Sequence, residues 1–226
     1  MGKFQTISSK GIKHYTVFEK KSFRNVLSLE RELPMYNFIG EGRYVLSETY
    51  LDSPNNLLAS AGIILCKVVV GNKAYFRVER EDYLFGKNLT DEKKVYVHPI
   101  KASDTVEDHS FFIKDGITSL FTTKFHIDFD NILKNVVPKI EVTTKVDVFK
   151  ILSGTGFKGS MHFEEVKIKN NFTKRKAEIY MMTVEQTSSM LSTDEFDNFI
   201  QKLEKYCKEV TPTTDSSYQI AERLTK

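Results

Sequence analysis

Between Tyr44 and Asp82 the chain alternates apolar and polar residues in short runs broken by turn-forming clusters. In VLSETYLDS the β-branched and aromatic residues recur at every second position, the period of a half-buried strand. Asp52-Ser53-Pro54-Asn55-Asn56 then ends that strand, because Pro54 has no amide to donate and its neighbours favour turns. Leu57, Leu58 and Ala61 form a short apolar ledge, and Gly62 releases the chain into IILCKVVV. Gly71-Asn72 closes a hairpin onto KAYFRVERE. The middle of the chain is therefore predicted to be antiparallel sheet.

The same reading extends outward. A first strand is expected over about 13–23 and a helix over 24–33, ended by Pro34. VYVHPI reads as a short edge strand, and 105–123 reads as a helix with Phe111, Phe112, Ile117 and Leu120 as its apolar stripe, interrupted at Gly116. FHIDFDNILKNVV supplies a further short helix, with Pro138 at its end. KIEVTTKVDVFKI alternates over more than ten residues, and SGTG then leads to the strands GSMHFEEVKIK and AEIYMMTVEQ. Ser192 to Glu195 is a helix start, and Phe196, Phe199, Ile200, Leu203 and Tyr206 form the buried face of a helix over about 193–210. The stretch 211–226 is expected to fray unless QIAERL docks. No repeat, low-complexity tract or linker divides residues 1–226, so one domain is expected.

Composition narrows the class. A chain of 226 residues with 40% apolar content has enough to bury a core, and barrels of this length form one domain. No apolar run approaches the roughly 18 residues needed to span a bilayer, and the N-terminus has no apolar signal core, which points to a cytoplasmic protein. Cys66 and Cys207 are too few for a disulfide framework and have no metal-site spacing. The balance of 33 basic to 30 acidic residues, a net charge of +3, is too mild to argue for nucleic acid. The five histidines pair neither with each other nor with a cysteine at metal-ligand spacing. Ser153-Gly154-Thr155-Gly156 lacks the lysine of a phosphate loop and reads as a hairpin turn. The basic run Lys167, Lys169, Lys174, Arg175, Lys176 surrounds a turn, as a solvated loop or as a surface for a polyanion.

YLDSPNNLLASAGIILCKV resembles the segment YxDTPxxxLxxxGIxLRxR of the CYTH family, the bacterial adenylate cyclase and thiamine triphosphatase group of the triphosphate tunnel metalloenzymes. Upstream, Val17-Phe18-Glu19-Lys20-Lys21 is similar to the family's ExExK strand. Downstream, MHFEEVKI and KAEIYMM resemble its two late acidic strands, and the helix beginning near Thr193 resembles its usual ending. The resemblance implies an α+β fold, an antiparallel β-barrel or half-barrel flanked by helices. It also implies that basic side chains inside the barrel neutralise a triphosphate, while carboxylates hold magnesium or manganese to polarise the phosphoryl group.

Carried over residue by residue, the resemblance offers Lys21, Lys67, Arg77, Arg80 and Lys145 for the ligand and Glu19, Glu164 and Glu178 for the metal. The departures matter as much. Val17 replaces the first Glu of ExExK, and Cys66 and Val68 replace the two arginines of LRxR. Glu79 replaces the lysine of the next strand, and Tyr180 the last carboxylate of the final motif. Lys67 and Arg80 stand one place out of phase, and a shift of one residue moves a strand side chain to the opposite face unless a bulge restores it. The expectation is a divergent tunnel-fold protein that binds a triphosphate or another phosphorylated small molecule with weak or absent hydrolysis. Two alternatives stay open: a metal-dependent triphosphatase acting on inorganic, thiamine or nucleoside triphosphate, and a non-catalytic domain for a protein partner.

Overall fold

The computed structural model of the chain describes residues 2–8, 11–28, 31–80, 92–104, 110–154, 156–187, 193–215 and 217–226. Among these residues ten strands form one antiparallel sheet: β1 (Lys3–Ser8), β2 (Ile12–Val17), β3 (Tyr36–Asp52), β4 (Ile63–Val70), β5 (Lys73–Arg80), β6 (Glu92–Ile100), β7 (Val137–Ser153), β8 (Lys158–Asn170), β9 (Lys176–Gln186) and β10 (Val210–Thr213). Their order is β1-β6-β5-β4-β3-β7-β8-β9-β2-β10, so the sheet is open, with β1 and β10 at its edges. Among the described residues seven helices accompany it: α1 (Ser22–Ser28), α2 (Leu57–Ser60), α3 (Ser110–Lys114), α4 (Ile117–Phe125), α5 (Phe129–Leu133), α6 (Thr193–Tyr206) and α7 (Ser217–Thr225). The architecture is the α+β half-barrel expected from the sequence.

The two faces of the sheet are covered differently. On the outer face, α1 and α6 bury Tyr15, Phe157, Phe163 and Met182 against Val26, Phe199 and Leu203, while α2 to α5 cover Leu65, Phe76, Val78 and Tyr96 with Leu58, Phe112, Phe121 and Phe129. On the inner face, α7 brings Tyr218, Ile220 and Ala221 onto Tyr50, Cys66, Val142, Val166 and Met181. This face lines the inside of the half-barrel and buries one apolar cluster that runs from Cys66 on β4 to Met181 on β9.

Several expected elements shift. The first predicted strand stops at Val17, because the amides of Ser22 and Phe23 turn back onto the carbonyls of Glu19 and Lys20 and open α1. VYVHPI is an interior strand, since β1 pairs outside it from Lys3↔Val97 onward. Gly116, at φ 73, divides the predicted helix into α3 and α4, and residues 105–109 of that prediction lie outside the described residues. The helix α6 ends at Tyr206, and the C-terminal stretch docks as β10 and α7 instead of fraying.

Asp52 explains why the elbow after β3 is rigid. Its Oδ1 accepts from the amides of Ser53 at 2.8 Å and Leu58 at 2.9 Å, and its Oδ2 from Ala59 at 3.2 Å. A β-bulge opposite Tyr50 and Leu51 turns Lys139 inward, where its Nζ lies 3.6 Å from Asp52, 3.1 Å from Glu222 and 3.2 Å from the Tyr218 hydroxyl. Removing the carboxylate strands three amides and takes from the buried Lys139 ammonium one of its two carboxylates. Asp52→Ala is expected to cost about 3 kcal/mol and to lower Tm by about 6–12 °C in thermal unfolding.

Candidate functional site

Alternation along each ladder decides which charges enter the concave face. Arg77 pairs opposite Cys66 on β4, which pairs opposite Tyr50 on β3, so all three share the inner face with Glu48 and Glu79. Arg77 is held between two carboxylates there. Its Nη2 donates to Glu48 Oε1 at 3.0 Å, and its Nε lies 2.6 Å from Glu79 Oε1 as an ion pair. All three side chains are largely withdrawn from water, at 21%, 5% and 10% exposure. Burial by itself would lower the guanidinium pKa, and the surrounding negative groups, Glu79 foremost, outweigh it and raise it. Burial also pushes the Tyr50 hydroxyl and the Cys66 thiol well above their ordinary values, with Glu48 adding to both.

A second inner-face group lies on β8, β9 and β2. The Thr183 hydroxyl donates to Glu164 Oε1 at 2.7 Å, and His14 Nδ1 stands 3.0 Å from the same hydroxyl oxygen. Burial raises the Glu164 carboxyl above the usual carboxylate range; the Thr183 bond opposes the shift and Glu48 adds to it. Burial lowers both His14 and His162, partly offset by Glu185.

The other residues offered by the resemblance fall elsewhere. The ladders of β4 run without a break, so Lys67 points outward, and its Nζ donates to the carbonyls of Ala102 at 2.6 Å and Asp104 at 2.7 Å. Glu19 and Lys21 sit in the turn before α1, paired at 2.6 Å on the surface. Lys145 lies exposed on the outer face, 4.0 Å from Glu165, and Glu178 on the same face accepts from the Tyr180 hydroxyl at 3.0 Å. Arg80 pairs with Ile63 in the ladder, and its side chain lies outside the described residues. Among the named residues whose side chains are described, Arg77 and Glu164 share the inner face. The three carboxylates offered for magnesium or manganese occupy a turn, the inner face and the outer face. Among the described residues no three His, Cys, Asp or Glu side chains group closely enough to hold a metal ion, so these residues do not fit that cation.

Sequence reasoning passed over Glu48 and Thr183. Glu48 carried a signal: it is the acidic member of the otherwise apolar Leu46, Glu48, Tyr50 alternation, and a carboxylate on a buried strand face needs a cation.

No protein-family model and no curated protein sequence matches this chain. Solved structures do. The candidate adenylyl cyclase HpAC1 from Hippeastrum, described as having a dominant triphosphatase activity, aligns over 94% of this chain and 94% of its own, with 11% identity and a TM-score of 0.56. A candidate adenylate cyclase from Bacillus halodurans aligns over 95% of this chain and 97% of its own, with 12% identity and a TM-score of 0.54. This chain has the CYTH tunnel fold. At this level of identity the likeness carries the fold alone, and the chemistry of the site rests on the chain's own residues. No helix among the described residues is long and apolar enough to cross a membrane.

Two outcomes follow from this charge arrangement. Arg77→Met leaves Glu48 and Glu79 buried without their cation and is expected to cost about 3 kcal/mol, read as a Tm lower by about 6–12 °C. The triple variant Glu48→Gln, Glu79→Gln, Arg77→Met should recover most of that loss. Glu164 works in the opposite direction. Its pKa is raised in the folded state, so folding binds a proton and stability falls as pH rises from about 4.5 through the folded value. Glu164→Gln keeps the acceptor for Thr183 and removes the charge. It should raise Tm by about 2–4 °C above pH 7, equivalent to about 1 kcal/mol, with the gain vanishing below about pH 4.5.

Proposed function

We propose that this chain is a CYTH-fold protein that binds a phosphorylated small molecule and hydrolyses it weakly or not at all. The observation that carries the loss of hydrolysis in this reading is the engagement of Arg77 by both Glu48 and Glu79 on the concave face. A triphosphate carries about four negative charges, and gripping it takes several basic groups with hydrogens to spare. Here the buried guanidinium is matched by carboxylates before any ligand arrives, with Glu164 adding a further acid to the same face. Each missing charge-assisted hydrogen bond forfeits roughly 1.5–3 kcal/mol, and losing three or four removes both tight binding and transition-state stabilisation. The phosphorylated ligand class is supported by the fold shared with the Hippeastrum protein, whose described activity is that of a triphosphatase. That neighbour also favours the second reading, a metal-dependent triphosphatase.

Thermal shift and phosphate release separate the two. With tripolyphosphate or ATP, with and without magnesium or manganese, the binding reading expects Tm to rise by about 5–10 °C at a hundredfold excess over the dissociation constant. Phosphate release should stay near the uncatalysed background in every case. Metal-dependent turnover that is lost in Glu164→Gln would replace this reading with the triphosphatase.

A further inference from the structure

The outer face of β7, β8 and β9 is left bare between the two groups of helices, and cation pairing there contrasts with the inner face. Cross-strand register sets three rows side by side: Glu141, Lys169 and Lys176; Thr143, Lys167 and Glu178; Lys145, Glu165 and Tyr180. In the last row a single carboxylate serves three ammonium groups. Glu165 lies 2.5 Å from Lys20, 3.7 Å from Lys167 and 4.0 Å from Lys145, and the bond from Lys20 and the neighbouring positive charges hold its pKa below the usual range.

Beyond it, the first two rows line a groove of about 480 Å³, within the size range of small-ligand sites. Glu141 in that groove is already satisfied, accepting from Lys169 at 3.1 Å and Asn171 at 2.9 Å, and Glu178 accepts from Tyr180. Lys174, Arg175 and Lys176 crowd the adjoining turn, all exposed. The positive charge in excess of local carboxylates therefore stands here, on ammonium groups that keep hydrogens for an anion. None of the side chains lining the groove is aromatic, so it offers no platform on which bases would stack.

We propose that this outer groove, centred on Lys167 and Lys176 with Lys145 at its margin, is the phosphate-binding site of the chain, replacing the concave face. A phosphoryl group would lie between Lys167 and Lys176, and the Glu178 carboxylate beside them would accept from a hydroxyl on the rest of the ligand. The inference rests on the reading that the chain binds a phosphorylated ligand and adds where it binds.

The test is an amide chemical-shift titration of the full chain with tripolyphosphate at low ionic strength, where exposed charges are least screened. The expected result is perturbation of residues 141–145, 165–169 and 174–178, with binding weakened at least tenfold in Lys167→Gln/Lys176→Gln, whose exposed positions leave the fold intact. Perturbation centred on Glu48, Arg77 and Glu164 would overturn the outer site while leaving phosphate binding standing. Absence of any perturbation at millimolar tripolyphosphate would overturn both.

Discussion

A guanidinium buried between two carboxylates governs what the concave face can do. Arg77 reaches across β4 to Glu48 on β3 and along its own strand to Glu79, so β5 and β3 are tied by charge over the intervening β4 on the face where the fold would otherwise admit a ligand. Such a grouping persists out of water only because each charge answers another. The arrangement is self-complementary, and an incoming anion would have to displace one of the two glutamates and leave it buried beside a new negative charge. The same balance lets apolar packing approach closely: Tyr50, Cys66 and Val68 are buried around the group, and α7 closes over the neighbouring strands through Tyr218 and Ala221.

Two further features depend on this closure. Lys139, turned inward by the bulge, fastens α7 to the elbow after β3 through Glu222 and Asp52, so the end of the chain is held to the same inner face that Arg77 neutralises. Electrostatics divides accordingly. Carboxylates gather inside, where Glu164 is held partly against its own ionisation, and lysines gather outside, where three of them share Glu165. A mild net charge of +3 conceals this separation, which appears only once strand register assigns each residue a face.

Much of the sheet was legible in the sequence because period-two patterning and turn chemistry are local. Gly71-Asn72 and the alternation of β7 placed their strands directly, and the phase argument for Lys67 holds because the ladders of β4 carry no bulge to reverse it. Other features depend on distant partners. KFQTIS pairs as β1 only because β6 offers an open edge. Glu19 and Lys21 left the expected strand because α1 begins early, and Lys139 changed face at an extra residue in the ladder that alternation alone does not reveal. The C-terminal helix is short, and burial of Tyr218 and Ala221 against the sheet, more than local propensity, holds it. The inner site was half legible: Arg77 and Glu164 were named, whereas Glu48, the partner that decides what Arg77 can do, lies 29 residues away along the chain.

The most direct test is to follow the side-chain Nε–H resonance of Arg77 by nitrogen-edited NMR while tripolyphosphate and magnesium are added. The account predicts a resonance protected from solvent exchange in the free protein and unchanged at saturating ligand, because Glu48 and Glu79 keep the guanidinium. A ligand-dependent shift of that resonance would contradict it, since the arginine would then be free to take a phosphate inside the half-barrel.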